Sequence, residues 1–253
     1  MLQSRIFPCL LLQGEGLVKT VRFKDPTYIG DPINAVRIFN LKQVDELLFL
    51  DITATEEKRP MNIALIKKIS EECSMPLTVG GGIKTVEDIR ALLNAGVEKV
   101  SINTQAVLNP GLITEASQIF GRQAIVVSMD VKKEKKDYRV YTHGGRKSTS
   151  WDPISYAVSM EKAGAGEIFL NSIDCDGTMQ GYDLKLIKKV TEAVTIPVIA
   201  CGGCGKIEDL RSAIVDGGAS AATAGSFFVF HGPRRAVLIS FPSRAELETL
   251  FKE

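Results

Sequence analysis

The chain has 253 residues, of which 45% are hydrophobic and 24% charged, and its net charge is +1. These values describe an ordinary globular protein and imply no general pull toward nucleic acid or a membrane surface, although a small phosphorylated ligand needs only local positive groups. No apolar run approaches the ~20 residues of a membrane span, no signal-peptide pattern opens the chain, and five cysteines (Cys9, Cys73, Cys175, Cys201 and Cys204) without framework spacing point to a reducing cytoplasm.

An apolar run at 6–12 predicts the first strand, followed by a long rim loop at 14–31 and a helical pattern at 34–40. Strand and helix then alternate: 47–52 with 62–73, 77–79 with 86–93, and 100–102 with 112–120. A fifth strand, 124–129, precedes a break in the rhythm at 132–150. There Lys132-Lys133-Glu134-Lys135-Lys136-Asp137 is a charge cluster, Tyr138-Arg139-Val140-Tyr141 alternates like a strand, and Gly144-Gly145 signals a turn. This reads as a hairpin inserted at the rim. The alternation resumes with a helix at 153–163, then 168–171 with 184–193, 198–200 with 207–215, a last strand at 221–224, and a closing helix at 244–252. Near-continuous apolar strands separated by helices predict a parallel sheet covered by helices. Eight such units in about 250 residues are the count of a (β/α)8 TIM barrel, here one domain over 1–253. A doubly wound sheet is the alternative, but it leaves the next feature unexplained.

Two stretches are versions of each other at an offset of 121 positions (Gly81 to Gly202). Val79-Gly80-Gly81-Gly82-Ile83-Lys84-Thr85-Val86-Glu87-Asp88 matches Ala200-Cys201-Gly202-Gly203-Cys204-Gly205-Lys206-Ile207-Glu208-Asp209. Leu65-Ile66-Lys67-Lys68 recurs as Leu186-Ile187-Lys188-Lys189, and Glu46 as Glu167. The offset is close to half the chain, too long for a solenoid repeat, and fits two halves closed into one barrel. Paired glycines after an apolar strand let backbone N–H groups approach a phosphate. Two such loops on one face suggest a ligand with a phosphate at each end.

Several blocks, in order, resemble the cyclase subunit of imidazole glycerol phosphate synthase, the HisF family. They are Arg5-Ile6-Phe7-Pro8-Cys9-Leu10, Phe49-Leu50-Asp51-Ile52-Thr53-Ala54, Val79-Gly80-Gly81-Gly82-Ile83 and Lys99-Val100-Ser101-Ile102-Asn103-Thr104, followed by Gly166-Glu167-Ile168 and Ser172-Ile173-Asp174-Cys175-Asp176-Gly177-Thr178. The resemblance runs to Gly225-Ser226. It implies a barrel that takes ammonia from a partner glutaminase, passes it up the core, and reacts it at the C-terminal face with a bis-phosphorylated ribulosyl substrate. It implies no cofactor or metal. Two aspartates, ending strands one and five, would be the acid/base catalysts.

Asp130 is present at the strand-five position, but the strand-one position holds Leu11. A leucine neither takes nor gives a proton, and one positioned acid/base group is typically worth ~10²–10⁴-fold in rate. The cyclase reaction is expected to be reduced accordingly, unless the role has moved to a neighbour such as Lys19. Cys201 also stands where the family carries serine, and His231-Gly232-Pro233-Arg234-Arg235 and then Ala236-Val237-Leu238-Ile239-Ser240 precede the last helix. With Leu10-Leu11-Leu12, these features resemble the second HisF copy of surface-polysaccharide (O-antigen) gene clusters. There the barrel and a glutaminase-like subunit supply ammonia to a sugar amidotransferase that converts an acetamido group to an acetamidino group.

The expected phosphate ligands are Gly82, Asn103 and Thr104 at one end, and Gly177, Gly203, Ala224, Gly225 and Ser226 at the other, through backbone N–H donation. Ordinary strand-to-helix turns also use glycine. Lys19 would add positive charge over one phosphate or be merely solvated. Asp176, and less strongly Asp51 and Asp174, would orient substrate or else cap the following turns. Arg5, Glu46, Lys99 and Glu167 each stand just before an apolar run, with alternating sign. Charges converging on a barrel mouth must pair; the resemblance makes them the ammonia gate, and the alternative is four unrelated residues at turns. Cys201-Gly202-Gly203-Cys204 is formally CxxC, but the repeat aligns it with a glycine loop, and no second ligand pair accompanies it.

Four functions are expected to compete. They are an ammonia-handling subunit of the polysaccharide type, a histidine-pathway cyclase that tolerates Leu11, a non-catalytic activator of its glutaminase, and the related barrel isomerase, which Leu11 and the gate residues disfavour. Nucleic acid and membrane are not expected as partners.

Overall fold

A computed structural model describes residues 4–252. At its centre eight parallel strands close on themselves: Arg5–Gln13, Leu47–Asp51, Leu77–Gly80, Lys99–Ile102, Ile125–Glu134, Glu167–Ser172, Val198–Cys201 and Ala221–Ala224. Each pairs with the next, and the last returns to the first, with Arg5 opposite Ala221 and Pro8 opposite Ala224. This is the (β/α)8 barrel that the alternation predicts.

Side chains alternate along each strand, so the two faces build separate cores. On the first strand Ile6, Leu10 and Leu12 join the large cluster beneath the helices. Phe7 and Cys9 point into the barrel with Leu48, Val126, Phe169, Ile199 and Ala221, and Leu11 packs against that inner cluster. Position 11 is thus an inward-facing place near the C-terminal end of its strand, where a side chain meets the cavity rather than a helix.

The half-chain repeat is a structural one. The helix Val86–Asn94 begins at a turn in which the Asp88 carboxylate accepts from Lys84 N at 2.8 Å and Thr85 N at 3.0 Å. The helix Ile207–Val215 begins the same way, with Asp209 accepting from Gly205 N at 2.8 Å and Lys206 N at 3.1 Å. These caps satisfy donors that the first helical turn leaves free.

Two segments differ from the sequence expectation. The stretch 14–31 is not a loop but a hairpin, Gly16–Val21 and Lys24–Gly30, that folds back on the first strand with Val18 opposite Leu11. Its turn is made by Arg22 and Phe23 at φ 52° and 62°, so it carries none of the glycine or asparagine that marks such turns. The second hairpin lies within 132–150 as expected, with strands Asp137–Thr142 and Lys147–Ser148. The fifth barrel strand, however, runs unbroken to Glu134 and forms the hairpin's first arm. Two further helices, Thr104–Leu108 and Ser226–Val229, are too short to show a helical period in the sequence. No helix of the described residues is long and apolar enough to cross a membrane.

Candidate functional site

A cavity of about 560 Å³ opens at the C-terminal ends of the barrel strands. Both glycine pairs line it. Gly81 and Gly82 have φ of 118° and 70°, Gly202 and Gly203 of 92° and 113°. This left-handed region strains any L side chain, and a Cβ at Gly203 would collide with the Gly181 carbonyl. The N–H groups of Gly82, Gly177 and Gly203 donate to no backbone carbonyl among the described residues. Asn103 and Gly225 precede the two short helices, whose first N–H groups have no partner within the helix. All eight expected phosphate ligands therefore meet in one cavity, in two clusters related by the repeat.

Four aspartates from the sequence analysis separate into different roles. Asp130 is buried on the cavity wall and receives Asn103 Nδ2 at 3.3 Å. Burial, and then the Asp176 carboxylate, push its pKa up to about 7. Asp176, on the turn beyond the sixth strand, is half-buried and accepts from Thr20 Oγ1 at 3.3 Å. Burial raises its pKa, against the pull of Lys19. Asp51 is occupied: Arg59 donates to it at 2.7 and 3.1 Å, and Thr53 N and Ala54 N at 3.1 and 3.0 Å. Capping the turn is what Asp51 does here. Asp174 accepts from Lys133 N at 2.8 Å and so fastens the second hairpin. It does not line the cavity.

Lys19 is not solvated. It is 6% exposed, lies beside Gly225, and donates to the Cys9 carbonyl at 2.5 Å. The first hairpin carries it there, so its position was invisible while that segment read as a loop. Leu11 lines the same cavity. The wall thus offers the carboxyls of Asp130 and Asp176, whereas strand one contributes Cys9, Leu11 and Gln13 and no carboxyl.

His143 and Arg146 also line the cavity, and the sequence analysis passed over both. The His143 N–H donates to Thr104 Oγ1 at 3.0 Å, which ties the second hairpin to the first glycine-loop cluster. Arg146 forms an ion pair with Glu56 across the rim. A histidine and an arginine flanking Gly144-Gly145 were the available signal. Cys201 and Cys204 are buried. The neighbouring Cys9 thiol and burial raise the pKa of Cys201, and burial raises that of Cys204. Thiols held protonated in this way are poor nucleophiles.

At the opposite end of the barrel the four gate candidates form one closed ring. Arg5 donates to Glu46 and Glu167, both at 2.8 Å, and Lys99 lies 3.2 Å from each carboxylate. Thr78 Oγ1 adds a bond to Glu46 at 2.6 Å. Each charge faces two of opposite sign, which offsets the cost of removing it from water.

The histidine biosynthesis protein family matches residues 5–233. Over 98% of its length the chain is 48% identical to a Pseudomonas aeruginosa protein that carries the provisional name imidazole glycerol phosphate synthase subunit hisF2, covering 99% of that protein. It is 46% identical to a Leptospira interrogans protein provisionally named as the HisF subunit, over 99% of this chain and all of the relative. It is 47% identical to the imidazole glycerol phosphate synthase subunit HisF of Alkaliphilus metalliredigens, over 91% of this chain and 92% of that one. The chain belongs to the histidine biosynthesis protein family, and within it to the HisF group.

Proposed function

We propose that this HisF-like chain is an ammonia-handling synthase subunit whose own cyclase chemistry is reduced. In this reading residues 1–253 work as one barrel domain in the cytoplasm, and a HisH-like glutaminase docks under the ring of Arg5, Glu46, Lys99 and Glu167. Ammonia released there rises through the barrel. A phosphorylated ligand lies across the two glycine-loop clusters, and a sugar amidotransferase forming acetamidino groups for a surface polysaccharide consumes the nitrogen.

The observation that carries the reading is Leu11 on the cavity wall. Asp130, with its pKa near 7, is suited to give and take a proton at neutral pH. No group on strand one can complete a two-carboxyl mechanism. That same Asp130, together with buried Lys19, favours one alternative, an authentic histidine-pathway cyclase with the second proton moved by Lys19. A direct test supplies ammonium and the bis-phosphorylated ribulosyl substrate. The chain should turn over roughly 10²–10⁴-fold more slowly than a relative with both aspartates, and Leu11→Asp should recover part of the loss. Ordinary turnover by the unsubstituted chain would restore the histidine-pathway reading.

A further inference from the structure

The chain leaves the second glycine-loop cluster by a route that returns to it. Gly225 and Ser226 open the short helix Ser226–Val229, which runs straight into Phe230–His231 and back along Ala236–Val237. Leu238 N and Ser240 N then bond to the carbonyls of Val229 and Phe228, each at 2.8 Å, so the return arm is fastened to the helix it came from. At the turn, the Arg235 guanidinium lies over the Phe230 ring, 5.7 Å from its centroid, and Nη2 donates to the Gly177 carbonyl at 2.8 Å. Gly177 follows the sixth barrel strand and Gly225 the eighth, with Gly203 from the seventh between them. Arg235 thereby bridges the two flanks of one ligand cluster.

We propose that Arg235 is a positioning residue that makes this end of the cavity the stronger anion site. The inference rests on the reading that the glycine loops bind phosphate. Gly177 has φ of 70°, and its N–H has no backbone acceptor among the described residues. Tying down its carbonyl fixes the turn while leaving that N–H for a ligand. The tie is also a permanent positive charge, on the side of the cavity where buried Lys19 lies against Gly225. The opposite cluster is braced differently. There Thr104 is held by a neutral backbone N–H of His143, and the nearby Arg146 is paired with Glu56. The fold gives two related loop clusters, and the appended hairpins make them electrostatically unequal.

The test is an inorganic phosphate titration followed through the amide NMR signals of Gly82 and Gly203, in the unsubstituted chain and in Arg235→Met and Arg235→Lys. Gly203 should respond at lower phosphate than Gly82. Arg235→Met should weaken the Gly203 response by roughly three- to tenfold, the scale of one charge-assisted contact near the surface, and leave Gly82 unchanged. Arg235→Lys should recover part of the difference, because it keeps the charge and a donor. An unchanged Gly203 titration in Arg235→Met would overturn the assignment, as would equal weakening at both glycines. If neither glycine responds in the unsubstituted chain, the phosphate reading itself falls, and the role of Arg235 falls with it.

Discussion

Asp130 and Leu11 face the same cavity from strands five and one, and their chemistries set what the wall can do. The folded protein holds the Asp130 proton to about pH 7, whereas an unfolded chain releases it near pH 4. Between those values the native state binds more protons than the unfolded one, so this group makes stability fall as pH rises. Its contribution is fully present below about pH 4 and is lost as pH passes through about 7. Asp130→Asn keeps a neutral side chain at every pH and removes that loss. In urea unfolding, the variant should gain on the parent by on the order of 2 kcal/mol as the pH is raised from about 5 to about 8. A pH-independent difference would show that Asp130 ionises normally in the fold. Leu11 has no proton to titrate and so adds no pH dependence of its own.

The barrel strands were legible because strands buried on both faces read as plain apolar runs. The half-chain offset located both glycine loops as well. What escaped was carried by elements without a local signature. The first hairpin turns on Arg22 and Phe23, so Lys19 was placed in a loop when it is buried at Gly225. Aspartates that looked alike by position proved unlike by partner, since Arg59 engages Asp51 and Lys133 engages Asp174. Sequence spacing fixes where a side chain starts, but long-range contacts decide whether it is free. The strand starts show the reverse case: alternating signs at four turns become one ring. Glu46, only 3% exposed at its side chain, serves Arg5, Lys99 and Thr78 together. Glu46→Ala leaves two cations sharing one carboxylate and a buried hydroxyl without its acceptor. It should cost about 3 kcal/mol and lower the urea midpoint clearly. Arg37→Ala, which breaks the surface pair with Glu72, should move the midpoint little. Similar effects for the two variants would mean that the ring is no tighter than a surface contact.

Across the whole molecule the barrel has two ends with different chemistry, a charged ring below and an open cavity above, joined by an interior of Phe7, Leu48, Val126, Phe169, Ile199 and Ala221. Under the proposed function this interior is a path for a small neutral molecule from a docked glutaminase to an acceptor. Such a path makes the lower ring matter only when nitrogen enters from below. The most direct measurement is turnover of the bis-phosphorylated ribulosyl acceptor by the barrel in complex with a HisH-like glutaminase from the same source. It is run once with glutamine and once with ammonium, for the unsubstituted chain and for Lys99→Ala. Turnover should be slow with either nitrogen source, and Lys99→Ala should change it several-fold with glutamine and little with ammonium. An equal change with both sources, or failure of the barrel to bind that glutaminase at all, would contradict such a path.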